Sequence, residues 1–257
     1  MHVSTSLYSV IAVLAHGTSL RLILATAITS HTRHFLLYRG IDFTKNLMPA
    51  STPRSHSKTA ALGRILDSVP KGYLRHMSGT VNATKAAALA NKFHALYGIG
   101  CSPAQRLARK SKGIANALLV LYWPDKVDNV HWLLLATNGT GLESERLQLV
   151  DEKPRLNWLG YELVRHSAHG RASWTWRRPR EEMAELHALL AYQGNCKHHK
   201  AMEETLERIA RQPGFNGVRT QSWSLCTEAR RRGYNGPLPH LFFLQKVSHG
   251  ERLMLKG

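Results

Sequence analysis

Arg106, Arg109, Lys110 and Lys112 crowd one short segment, and Lys85 and Lys92 lie just upstream. Long cationic side chains on one surface neutralise phosphates and release counterions, so such a cluster points to salt-dependent contact with a polyanion. Nothing in it reads base edges, so the expected contacts are to the nucleic-acid backbone. A solvated basic face has the same composition. A second candidate is Trp174, Trp176, Arg177, Arg178 and Arg180, where aromatic and basic residues interleave at a strand end. Single strands use that mixture as a stacking platform beside cations; two tryptophans on one strand face also suit a core.

Acidic residues offer a different chemistry. Asp125 follows one expected strand and Asp151-Glu152-Lys153 ends another. Carboxylates brought together from two strands could hold Mg²⁺ for phosphodiester cleavage. Cys196, His198 and His199, with Cys226 or His240, are zinc-ligand types, but the second closely spaced pair of a structural site is missing. The spacing of 198–211 and 218–232 resembles a helix-turn-helix, with Arg219, Thr220, Gln221 and Ser224 in positions from which bases are touched. His131 stands alone in its strand, which leaves a paired-histidine nuclease site incomplete. No phosphate-binding glycine loop, dinucleotide fingerprint, serine-hydrolase elbow or metalloprotease helix occurs.

These residues need elements to hold them. Asn82 or Thr80 can cap a helix over Ala83–Tyr97, whose Ala86, Leu89, Ala90, Phe93, Leu96 and Tyr97 make one apolar stripe before Gly98. Ser102-Pro103 restarts a helix over about 104–113 with Leu107 as its single large apolar residue. Short strands follow at 117–123, 130–137, 146–151, 161–166 and 172–177, separated by turn residues too few for helical crossovers. Helices return over 181–193, 198–211 and 218–232, and Leu241–Val247 reads as a final apolar strand or extended segment. The expected fold class is α+β: an antiparallel β-meander of about five strands, flanked by an N-terminal basic helical pair and a C-terminal helical segment.

The chain has 257 residues, and its 35 Lys+Arg against 17 Asp+Glu give a formal net charge of +18. The excess is local: residues 48–115 hold eleven basic residues and one acid, Asp67. A hydrophobic content of 43% supports a packed core and excludes wholesale disorder. Three widely spaced cysteines exclude a disulfide framework and fit a reducing cytoplasmic compartment.

Residues 1–47 look foreign to the rest, as a presequence, a mis-assigned start before Met48, or another non-core segment. A transit peptide there would make the location organellar. Arg21 inside the apolar stretch argues against an integral membrane span. Residues 48–60 read as a polar linker. Residues 61–257 read as a single α+β domain, with a basic helical part at 61–115, a sheet at 116–178 and helices at 179–257.

The expected function is non-enzymatic nucleic-acid binding, to DNA or RNA, through Lys85, Lys92, Arg106, Arg109, Lys110, Lys112, Arg177, Arg178 and Arg180, with no cofactor. The alternatives are a Mg²⁺-dependent nuclease-like enzyme using Asp125, Asp151 and Glu152, or a basic protein that docks on an acidic partner.

Overall fold

The computed structural model describes residues 51–168, 171–243 and 251–254. Its strands are organised by their turns. Leu159 and Gly160 take φ of 54° and 86°, the backbone of a two-residue primed hairpin turn. They join β6 (Asn157–Trp158) to β7 (Tyr161–Ala168), and β8 (Arg171–Arg177) completes a three-stranded antiparallel sheet. Pro124 and Asp125, with Lys126 at φ 60°, turn the chain between β3 (Ala117–Tyr122) and β4 (Asn129–Ala136). That hairpin is the centre of a second, six-stranded sheet.

The larger sheet also contains β1 (Ser51–Ser55), β2 (Arg75–Asn82), β5 (Gln148–Leu149) and β9 (Glu251–Met254), in the order β5-β2-β4-β3-β1-β9. It is mixed, because β1 runs parallel to β3 while the other neighbours are antiparallel. The expected single meander is therefore corrected. Short connections did identify the β3–β4 and β7–β8 pairs. However, β2 arrives from upstream and takes the free edge of β4, so β5 pairs with β2 and the later strands form their own sheet.

The stretch expected as a polar linker also changes character, because β1 lies within it. Serine and proline have little β-propensity of their own, but β9 pairs with Ser51–Arg54 and β3 with Arg54 and Ser55. Tertiary pairing overrides local preference here. The expectations for residues 1–47, and for the part of the final strand beyond residue 243, lie outside the described residues.

Among the described residues six α-helices accompany the sheets: α1 (Lys58–Ser68), α2 (Ala83–Tyr97), α3 (Pro103–Ser111), α4 (Arg180–Asn195), α5 (His199–Ala210) and α6 (Asn216–Arg231). The apolar stripe of α2, from Ala86 to Tyr97, packs on one face of the large sheet against Leu119, Leu121, Val130 and Leu134. The other face carries Val120, Leu133 and Leu135. It is covered by Ala61, Leu62 and Ile65 of α1, by Leu163 and Trp176 of the small sheet, and by Phe215 and Val218. A third cluster joins α4, α5 and α6 through Leu190, Met202, Leu206, Ile209, Leu225 and Ala229. At the start of α6, Gly217 permits a close approach, since a Cβ there would stand 2.5 Å from the Trp176 carbonyl oxygen.

One buried group sets a pH dependence. His76 of β2 is buried opposite Leu135, and neither ring nitrogen has a hydrogen-bond partner among the described residues. Burial lowers its pKa below the ordinary histidine value. The unfolded chain therefore binds a proton near pH 6.5 that the folded chain resists, and stability falls as pH drops below about 6.5. His76→Leu is expected to raise stability at pH 6 by about 1 kcal/mol or more and to flatten this acid limb in urea titrations. Burial lowers His94 too, so part of the limb should persist.

Candidate nucleic-acid interface

The two basic helices are positioned by well-made ends. The Asn82 side chain accepts a hydrogen bond from the Thr84 amide at 3.0 Å, and Gly98 closes α2 in the left-handed region at φ 63°. Ser102 and Gln105 form a reciprocal capping box at the start of α3, with Pro103 in its first turn. With the apolar stripe of α2 against the sheet, Lys85 and Lys92 are exposed two turns apart, about 10 Å along the axis. On α3 Lys110 is exposed and Arg106 half-buried, and Lys112, the residue that caps the helix end, is exposed.

Arg109 departs from expectation. It is buried, and its guanidinium donates to the Ala115 carbonyl at 2.8 Å. The Arg106 carbonyl accepts from the Asn116 side chain at 3.1 Å. A helix almost without apolar residues is thus held to the body by polar groups on its inner side, and Arg109 is an anchor there. Among the described residues no carboxylate pairs with Lys85, Lys92, Arg106, Lys110 or Lys112. By contrast Arg155, Arg177, Arg211, Arg231 and Arg232 of the later chain each have an acidic partner within 4.0 Å.

The strand-end candidates divide. Trp176 is fully buried, and its indole N–H donates to the Leu62 carbonyl at 3.0 Å. Arg177 is paired with Glu162 at 2.8 Å. Arg178 is fully buried and corrected from surface cation to internal brace. It donates to Gln212 at 2.7 Å, to Ser222 at 2.8 Å, and to the Val218 and Ile209 carbonyls. Burial lowers its pKa, and Glu182, 3.9 Å away, opposes that shift. The neighbouring Tyr161 phenol is pushed up to about 12 by burial. Of these three arginines, Arg180 remains exposed, at the first position of α4.

The acids proposed for Mg²⁺ are not brought together. Asp125 lies beyond Tyr122, at the sheet end where β3, β4 and β2 align Tyr122, His131 and Thr80. Asp151 and Glu152 follow Leu149, which pairs with Arg75 at the opposite end of β2. About 17 Å of strand separates the two ends, far more than ligands of one divalent ion can span. Asp125 instead faces His56 at 3.1 Å. No cluster of three metal-ligating side chains occurs among the described residues, and Cys226 is buried in the α4–α6 core while Cys196 is exposed.

The helix-turn-helix expectation also meets committed groups. Both polar atoms of the Gln221 amide are bonded to the Arg178 backbone. Arg219 donates to the Leu241 carbonyl at 3.2 Å, and Thr220 to its own helix.

Register assembles one polar row that the sequence hides. Ser55, Tyr122, His131 and Thr80 are direct partners across β1, β3, β4 and β2, so they share a sheet face. Thr80 and His131 lie 3.1 Å apart through Oγ1 and Nδ1, and the Tyr122 and His131 rings stack at 6.0 Å. His131 alone gave no signal, because its neighbours come from other strands.

No family model, curated protein or solved structure matches the chain. Among the described residues no helix is long and apolar enough to cross a membrane.

Proposed function

We propose that this protein binds nucleic acid, and that it does so by phosphate-backbone contact through Lys85, Lys92, Arg106, Lys110 and Lys112. The observation that carries this reading is the contrast in charge neutralisation. Five cations on two consecutive helices and the cap that ends the second have no acidic partner among the described residues, whereas Arg155, Arg177, Arg211, Arg231 and Arg232 of the later chain each have one. Self-repulsion in such a cluster opposes folding, and a polyanion relieves it. Arg180 adds one further exposed cation. Arg109, Arg177 and Arg178 leave the interface, because each already serves an internal bond. The reading is non-enzymatic: the separated acids give a Mg²⁺ nuclease no support.

Titration of the full chain against a 20-base-pair duplex, with and without Mg²⁺, tests this. Five phosphate contacts should give a slope of log K against log salt near −4.5, or about a 500-fold loss of affinity from 50 to 200 mM salt. Absence of binding at 50 mM salt would remove the proposal, and binding to polyglutamate in its place would indicate an acidic protein partner. Cleavage confined to Mg²⁺ samples would contradict the non-enzymatic part.

A further inference from the structure

We infer that the outer face of α6, together with residues 240–243, is a stacking platform for single-stranded nucleic acid. This rests on the nucleic-acid reading but uses a different surface. Helix α6 buries Val218, Ser222, Leu225, Cys226 and Ala229. Its other side presents Arg219 and, one turn on, Trp223, which is 48% exposed. The following segment brings Phe242 and Phe243 to the surface at 69% and 56% exposure. Arg219 fixes that segment to the helix. Its Nε donates to the carbonyl of buried Leu241, and its guanidinium lies 4.4 Å over the Phe243 ring. His240 meets Phe242 edge to face at 4.6 Å.

Single exposed aromatics need no explanation, but an exposed ring stacked on an arginine, with a second exposed ring next to it in the chain and an exposed tryptophan one turn along the same helix, does. Among the described residues the other exposed large apolar residues, Leu107, Val127, Leu149 and Tyr192, lie on separate elements. The chemistry around the rings selects the occupant. The neighbouring exposed residues are Thr220, Ser224 and Thr227, not the aliphatic residues that would grip an apolar helix. The helix ends in Arg230 and Arg231, and its single acid, Glu228, is paired with Arg231 and Arg232. Exposed π faces, a stacked guanidinium with further donors and a positive surround complement unpaired bases joined by phosphates. In a duplex the base faces are already stacked, so this surface should favour single strands. The Trp174–Trp176 pair has the same composition, but Trp176 is spent in the core.

The full chain, with Trp223→Ala plus Phe243→Ala, should be titrated against a 20-nucleotide oligo-dT and the 20-base-pair duplex. Two lost stacks should weaken oligo-dT binding at least about 30-fold and leave duplex binding within about twofold. Trp223→Phe should restore oligo-dT binding but lose much of the tryptophan-emission quench seen in the wild type, which also reports on stacking should the double variant misfold. Unchanged oligo-dT affinity in the double variant, or an equal loss on duplex, would overturn the platform while leaving the α2–α3 interface intact. A wild type that binds neither nucleic acid would overturn the parent proposal as well.

Discussion

Arg178→Ala is expected to lower the unfolding free energy by about 3–5 kcal/mol, the usual cost of breaking a buried, bonded charge site. The guanidinium lies where the end of β8 meets α5 and α6. It satisfies the carbonyl of Ile209 near the end of α5, the Val218 carbonyl in α6, and side-chain oxygens of Gln212 and Ser222. Truncation removes all of these bonds at once and leaves a cavity among groups that have lost access to water. Conversion to Met should recover packing but not the acceptors, so its loss should be smaller. Urea unfolding reads both. Nucleic-acid affinity of the fraction that remains folded should be unchanged, because Arg178 has no surface to offer. A loss below about 1 kcal/mol for the alanine variant would show that Arg178 does not brace this junction.

Replacing Lys85, Lys92, Lys110 and Lys112 together with Gln is expected to produce the largest change in binding. All four are exposed and make no ion pair among the described residues, so the folded state should lose little beyond self-repulsion. Removing four phosphate contacts should reduce the salt slope by about 3.6 units. If the wild type and the variant converge near 1 M salt, where counterion release no longer drives binding, the variant binds duplex at 50 mM about 5 × 10⁴-fold more weakly. Thermal stability should stay level or rise slightly. This opposite movement of affinity and stability separates a functional cation cluster from a structural one.

Much of the scaffold under this cluster is legible locally. Asn82 and Gly98 delimit α2, and Ser102-Pro103 starts α3, because caps and left-handed glycines act within a turn or two of chain. The apolar stripe of α2 is equally local, and it leaves Lys85 and Lys92 outside the core. What stays hidden is whatever depends on distant partners. Arg177, Arg178 and Arg180 are indistinguishable in composition. Yet Arg178 is buried by acceptors 31 to 44 positions away, and Arg177 is paired with Glu162 across β7 and β8. Asp125 and Asp151 each follow a strand, but strand order puts them at opposite ends of one sheet. Trp176 and Trp223 are both tryptophans in mixed surroundings, and tertiary packing alone sends one to the core and the other to the surface. β1 is the strongest case of this kind, since a Ser/Pro segment becomes a strand through pairing with β3 and β9.

The most direct measurement is the slope of log K against log salt for duplex DNA between 50 and 300 mM, for the wild type and the four-lysine variant side by side. Contact through α2 and α3 requires a slope near −4.5 in the wild type and near −1 in the variant. Two parallel lines, at whatever affinity, would place the phosphate contacts elsewhere and contradict the assignment of this interface.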